Sequence, residues 1–262
     1  MTEKKLKKQY CVDFKSLDFT SKEANKKLKK NSICIIKNIV HKKDVNFLVK
    51  CFKKKFKEIK EKRISGPWKY KMKDFRRVDL GDSYKNSRFS RTITFCEWNK
   101  NINFYKVIEP VIQIRNILSK VEKEGYFYND LIPYQKKKLN KKKIFCDLIR
   151  MLQYPTGGGF LSQHDDVDPK YPEKIVNAIL TITSRRKTKK NTKLNSYERG
   201  GLYFIKNKKK MNVEDMMCPG DLILFDSKIP HGVNSVDPHK EVSLKKLNGR
   251  ISLAFSIGSF VR

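Results

Sequence analysis

The feature that most limits the fold lies in the second half of the chain. Six short apolar segments follow one another there: "IFCDLIRMLQYP" (144–155), "IVNAILTITS" (175–184), "GGLYFIKN" (200–207), "DLILFDS" (221–227), "GVNSV" (232–236) and "RISLAFSIGSF" (250–260). Each is rich in β-branched and aromatic residues, and Gly, Pro and Asn separate them. Such runs read as strands joined by turns. Many short strands with turn signals between them predict an antiparallel sandwich or a jelly roll.

The first half carries a different pattern. Residues 1–30 are charged and are expected to be partly frayed. "SICIIKNIV" (32–40) reads as a buried strand. In residues 41–63, Val45, Leu48, Val49, Phe52 and Phe56 fall at helical spacing, with Asp44 as the expected N-cap and Gly66-Pro67 as the stop. Residues 103–125 read as a second helix, stopped by Gly125, with Pro110 in its first turn or at a kink. Residues 64–105 have no clean period. With no internal repeat and no linker, the expectation is one domain over 1–262. Its helical part and substrate-covering segment lie in 1–143, and its β core in 144–262.

Composition bounds the function classes. Hydrophobic residues make up 39% of the 262 and aromatics 11%, enough for a packed core. The net charge of +33 raises nucleic acid or a membrane surface as partners. The excess is mostly Lys, alongside much Asn and Ile, a pattern that fits an AT-rich coding sequence. The runs "KKKLNKKK" (136–143), "SRRKTKKNTKLN" (184–195) and "KNKKK" (206–210) fall where loops or hairpin tips are expected. They read as solvated decoration, and no specific nucleic-acid partner is expected. The six cysteines form no Cys-x-x-Cys pair, and several sit in apolar runs, where they act as small hydrophobes. The first residues, "MTEKKLKKQYCVDF", lack the apolar core of a secretion signal, and no apolar run reaches bilayer-spanning length. A reducing cytoplasmic setting is the expectation.

Chemistry concentrates in "QYPTGGGFLSQHDDVDP" (153–169) and "PGDLILFDSKIPHGVNSV" (219–236). There are four histidines; His41 and His239 lie in charged, turn-like surroundings. In a jelly roll, strand ends distant in sequence lie side by side, so His164, Asp166 and His231 can converge. Two imidazoles and one carboxylate on one face of a metal form the facial triad of non-haem Fe(II) oxygenases. Asp166 is favoured over Asp165 because side chains two apart in an extended segment point the same way. A dicarboxylate cosubstrate held on such a metal buries its far carboxylate, which then needs a cation. Arg250 heads the last apolar strand and offers a bidentate fork, and Ser252 shares its face. Taken singly, each has a plainer reading: a polar turn, a loop histidine, a salt-bridge arginine. Gly157–Gly159 is not a phosphate loop, since no Gly-Lys-Ser/Thr follows.

With these residues in hand, the chain resembles the Fe(II)- and 2-oxoglutarate-dependent dioxygenases, above all their prolyl-hydroxylase-like and phytanoyl-CoA-dioxygenase-like branches. "QYPTGGGFLSQHDD" is similar to the prolyl-hydroxylase pattern of Tyr, Gly-rich turn, aromatic and His-x-Asp. The resemblance covers roughly 144–260. It implies a cupin-like double-stranded β-helix, mostly β with flanking helices. It implies Fe(II) on His164, Asp166 and His231, with 2-oxoglutarate and O2 as cosubstrates and ascorbate as an accessory reductant. It places Tyr154 and Thr181 against 2-oxoglutarate. The chain departs from the pattern in the 19-residue spacing from His231 to Arg250, which holds the insert "DPHKEVSLKKLNG". The implied reaction is hydroxylation with release of succinate and CO2. Asp166 argues against halogenation, which needs that ligand vacated. A protein prolyl or lysyl hydroxylase and a nucleic-acid demethylase remain as alternatives on the same scaffold. A non-catalytic metal- or carbohydrate-binding jelly roll is the alternative of another class. For the substrate, Arg76, Arg77, Arg88 and Arg91 cluster in 64–105 with Trp68, Tyr70, Phe75 and Tyr84. They either grip an anionic small molecule from a covering segment or simply pair with Asp74, Asp79 and Asp82.

Overall fold

The computed structural model describes residues 3–59, 74–82, 88–96, 101–119, 126–127, 144–167, 176–185 and 196–260. In chain order its elements are α1 (Glu3–Tyr10), β1 (Cys11–Asp13), α2 (Leu17–Asn31), β2 (Ile33–Lys37), α3 (Lys42–Glu58), β3 (Phe75–Asp82), β4 (Arg88–Phe95), α4 (Ile102–Ser119) and β5 (Tyr126–Phe127). The β core follows with β6 (Ile144–Tyr154), β7 (Gly159–His164), β8 (Val176–Thr181), β9 (Gly201–Lys206), β10 (Lys209–Asn212), β11 (Leu222–Asp226), β12 (His231–Val236) and β13 (Arg250–Phe260).

The pairing of the last eight strands defines the architecture. β6, β13, β8 and β11 are neighbours in one antiparallel group; β7, β12, β9 and β10 form the other. Apart from the β9–β10 hairpin, consecutive strands thus alternate between two four-stranded sheets, which is the double-stranded β-helix. The sheets face each other: Phe204 of β9 meets Phe225 of β11 with ring centroids 5.1 Å apart. β4 bridges the open side by pairing with both β6 and β7.

Why the strands read as continuous apolar runs is now evident. In β11, Leu222 and Leu224 point to one face and Ile223 and Phe225 to the other, and all four are buried. One face lines the barrel. The other is covered by α2, α3 and α4 through Leu28, Leu48, Phe52, Phe104 and Ile108. A sheet buried on both faces loses the polar alternation of a half-exposed one.

Several local expectations change. Residues 3–30 form regular elements: α2 has Ser16 Oγ accepting from the Phe19 amide at 3.3 Å, and β1 extends the sheet in parallel with β2. Its lysines masked an amphipathic pattern that buries Ala24 and Leu28. In α3 the N-cap is His41, with Asp44 inside the first turn, where its charge suits the helix dipole. That helix ends at Glu58; Gly66-Pro67 lies outside the described residues. Pro110 sits well inside α4, which ends at Ser119, and Gly125 lies outside the described residues. Most importantly, part of the aperiodic 64–105 segment is regular. β3 and β4 form an antiparallel hairpin that joins the barrel wall, so their residues are built into the scaffold rather than into a loose cover. Trp68, Tyr70 and Tyr84 lie outside the described residues, as do 136–143 and most of the 184–195 run. The run at 206–210 does form a hairpin tip, turning through Asn207 and Lys208 at positive φ. Among the described residues no helix is long and apolar enough to cross a membrane.

Candidate metal and cosubstrate site

The metal candidate is assembled by strand pairing. His164 ends β7 and His231 begins β12, and the antiparallel register sets the two directly opposite each other. Their rings lie 4.3 Å apart between centroids. Asp166 follows β7 by two residues and is pinned by its amide to the Ser227 carbonyl at 2.9 Å. Its Oδ1 stands 3.5 Å from His164 Nε2 and its Oδ2 3.4 Å from His231 Nε2. Asp165 turns away and accepts from the Val167 amide at 3.1 Å.

The surrounding contacts hold these groups in ligating form. His164 Nδ1 lies 3.0 Å from the Ser162 carbonyl, and His231 Nδ1 3.0 Å from that of Ile229. A carbonyl only accepts, so each Nδ1 carries the proton and each Nε2 is left with its lone pair toward Asp166. Burial holds the His231 pKa below the usual imidazole value against the opposing pull of Asp166, which favours the neutral, ligating ring. Burial pushes the Asp166 carboxyl up, but its neighbours His164, His231 and Arg150 outweigh that and hold it ionised, at about 2. Asn177 Nδ2 steadies Asp166 Oδ2 at 2.9 Å. The three ligand atoms lie within 4.8 Å of one another. Cis ligands on bonds of about 2.1 Å stand roughly 3 Å apart, so the donor set fits a divalent ion with slight closure.

A second cluster faces the same interior. Arg250 opens β13 opposite Tyr154, and Ser252 stands opposite both Leu152 and Thr181. Arg250 is 2% exposed. Its Nη1 donates to Ser252 Oγ at 3.2 Å, and Tyr154 presents its ring 5.8 Å from the guanidinium carbon. Thr181 is buried, with its hydroxyl 3.6 Å from Met217 Sδ. Arg250 Nη2, buried, has no hydrogen-bond partner among the described residues. A buried guanidinium with a spare N–H is suited to hold the carboxylate of a bound anion.

Sequence reasoning missed Glu214, which lies on a short 3-10 turn before β11 and pairs with Arg250 Nε. Its Oε1 also accepts from the Leu202 amide at 2.8 Å. Burial works against the Arg250 charge, but Glu214 more than restores it and raises the pKa of the guanidinium. Gly201, at φ +112°, makes the room: a Cβ there would overlap the Glu214 side chain. A glycine pair opening a strand, as in "RGGLYF", is the sequence signal of such a close approach.

The insert between His231 and Arg250 folds back onto the Gly-rich turn. Gly157 and Gly158 donate to the carbonyls of Asp237 and Val236 at 3.1 and 2.9 Å. A Cβ at Gly157, whose φ is +87°, would strike the Val242 backbone. Buried Gln153 donates to the Lys246 and Asn248 carbonyls at 2.8 and 3.1 Å, tying down the far end of the insert. The glycines therefore serve chain packing.

The four arginines of the hairpin divide by face. Arg77 and Arg91 share a face with Ile93, which lines the barrel, and both pair with Asp79, at 2.6 and 3.1 Å. Arg76 lies on the opposite face, stacked 4.1 Å over Phe56, and donates to the Phe56 carbonyl. Arg88 is exposed, and its backbone pairs with Ser162.

No family model matches the chain, and no curated protein sequence matches it. Solved structures do. A prolyl-4-hydroxylase from Pseudomonas putida shares 15% identity at a TM-score of 0.53, covering 92% of this chain and 98% of its own. A prolyl hydroxylase from Trichoplax adhaerens, solved with a fragment of the hypoxia inducible factor oxygen degradation domain, shares 13% at 0.53, covering 100% and 94%. The α-ketoglutarate-dependent non-haem epimerase SnoN of nogalamycin biosynthesis shares 7% at 0.56, covering 94% and 86%. The chain has the fold of these structures.

Proposed function

We propose that the chain is an Fe(II)- and 2-oxoglutarate-dependent oxygenase that hydroxylates a small anionic molecule. The observation that carries the reading is the convergence, in one barrel, of His164, Asp166 and His231 with a buried arginine that has a spare N–H. His164, Asp166 and His231 would hold the iron on one face. Arg250, steadied by Glu214 and with Ser252 alongside, would hold the far carboxylate of 2-oxoglutarate; Tyr154 and Thr181 would flank it. Iron so bound supplies the oxidising chemistry: 2-oxoglutarate, O2 and a substrate C–H become succinate, CO2 and an alcohol. The protein's own part is to present neutral imidazoles and an ionised Asp166, to keep the Arg250 charge buried beside its partner, and to orient the target bond. Arg77 and Arg91 are the hairpin arginines whose side supports contact with substrate; Arg76 and Arg88 sit on the other face.

The test is anaerobic loading with Fe(II) and 2-oxoglutarate, followed by O2 and measurement of succinate. Slow succinate formation that depends on both, and that candidate carboxylate or phosphate metabolites accelerate, is expected. Stoichiometric metal binding with no succinate under any condition would leave a non-catalytic metal-binding jelly roll.

A further inference from the structure

Arg150 enters the assembly described so far only as a charge near Asp166, and its placement is unusual. β6 pairs with β13 on one side and β4 on the other, and Arg150 stands opposite Ala254 and Phe95. Residues 150, 152 and 154 share a face, and Leu152, Tyr154 and Ala254 line the barrel interior. Arg150 therefore projects into the same interior as Arg250, four residues further from the cosubstrate end of the strand. Its Nη2 donates to Ser256 Oγ, while Nε is buried with no hydrogen-bond partner among the described residues.

Like charges lie near it. Burial, then repulsion from Arg91, pulls the Arg150 pKa down to about 10, with Arg77 adding to the repulsion; Asp166 pulls the other way. The group stays charged at neutral pH. Asp79 already serves Arg77 and Arg91 together. In the proposed enzyme the charge of Asp166 would be committed to iron. Arg150 and Arg91 would then lie near each other in the interior with the buried Arg150 Nε still open to an acceptor, an arrangement that an oxyanion would relieve.

We propose that Arg150, with Arg91 and Arg77 beside it, is the subsite for a carboxylate or phosphate group of the substrate, next to the iron ligands. The inference rests on the oxygenase reading and deepens it. Anchoring the anion on β6 would set the distance between that group and the C–H bond presented to the metal, so Arg150 would select substrates by where their charge lies. Arg fits the task because its planar fork meets an oxyanion with two N–H groups.

Isothermal titration calorimetry with inorganic phosphate and with acetate tests this. Titrations use the intact protein, metal-free and loaded anaerobically with Fe(II) and 2-oxoglutarate so that Arg250 is occupied. One saturable anion site is expected in the loaded wild type. R150M should weaken it tenfold or more, while R88M, on the outer face, leaves it unchanged. 2-Oxoglutarate affinity should be the same in R150M as in wild type. Equal phosphate and acetate binding by R150M and wild type would overturn the proposal. So would a loss of 2-oxoglutarate binding in R150M, which would make Arg150 part of the cosubstrate site. Should R150M fail to fold, R150K keeps the charge and loses the fork; an unweakened anion site in it would equally overturn the idea. If the protein binds neither Fe(II) nor 2-oxoglutarate, the oxygenase reading falls, and the metal-free titration still reports on Arg150.

Discussion

The two sheets of the barrel face one interior and bring different chemistry to it. β7 and β12 carry His164 and His231 at facing strand ends, where the backbone is about to turn and a short reach brings in Asp166. β13, β6 and β8 carry Arg250, Tyr154, Ser252 and Thr181 on strand positions locked in register. The metal candidate sits at a margin, with the Asp166 side chain 38% exposed, and the cosubstrate candidate is sealed, with Arg250 at 2%. The lesson is a separation of labour: a metal needs ligands that can close around it and an open face, whereas a buried carboxylate needs a cation shielded from water. Damage to one sheet should therefore spare the binding function of the other.

The largest effect expected is on the metal side. His164→Ala, His231→Ala and Asp166→Ala should each abolish succinate formation and weaken Fe(II) binding by about a hundredfold or more, with folding retained. Asp165→Ala should stay close to wild type. Metal titration by calorimetry together with circular dichroism reads both; an inactive Asp165→Ala beside an active Asp166→Ala would put the wrong carboxylate on the metal.

Next comes the cosubstrate side. Arg250→Ala should raise the apparent KM for 2-oxoglutarate on the order of tenfold to a thousandfold, the loss of a charge-assisted contact worth roughly 2–4 kcal/mol, while Fe(II) binding persists. Because that substitution strands Glu214, the protein should also melt lower, and adding Glu214→Gln should recover part of the loss. If Fe(II) binding falls in parallel with 2-oxoglutarate binding, the two sheets are not separable.

A smaller effect is expected from Gly201→Ala. The positive φ and the overlap with Glu214 should cost about 1–3 kcal/mol and disturb Arg250 indirectly. The prediction is a lower melting temperature with a several-fold rise in KM for 2-oxoglutarate and no change in metal affinity. The smallest effect concerns the basic surface. Binding to DNA or RNA should be weak, indifferent to sequence, and should collapse between low and physiological salt as released counterions dictate. A tight, sequence- or modification-selective complex at physiological salt would favour the nucleic-acid demethylase instead.

Much of the core was legible in the sequence because each strand of 144–260 carries its own signals. β-branched runs and bracketing turns mark β6, β8, β9, β11, β12 and β13 within a few residues of their bounds. The ordered N-terminal residues were less legible, since the lysines of α2 outnumber the few apolar residues on its buried face. The β3–β4 hairpin was illegible for another reason. Its strands mix arginines that line the barrel with arginines that pack outside it, so no apolar alternation is visible. Of its four arginines, sequence proximity suggested one cluster; the two-residue period of a strand divides them into two pairs on opposite faces.

The sequence by itself determined what is local: which segments extend, which histidines lie near turns, and which arginine heads a late strand. It also determined that Asp165 and Asp166 point apart, since alternation depends only on neighbouring residues. What only the tertiary structure decided is what depends on pairing across the chain. Register sets His231 against His164 and Arg250 against Tyr154. Packing puts Glu214 against Gly201 and onto Arg250. Arg150 turned inward among like charges could not be read from "LIRMLQY", because a charge in an apolar strand looks the same whether its face meets water or the barrel. The partners that settle such a residue lie on strands distant in sequence, and folding alone brings them within reach.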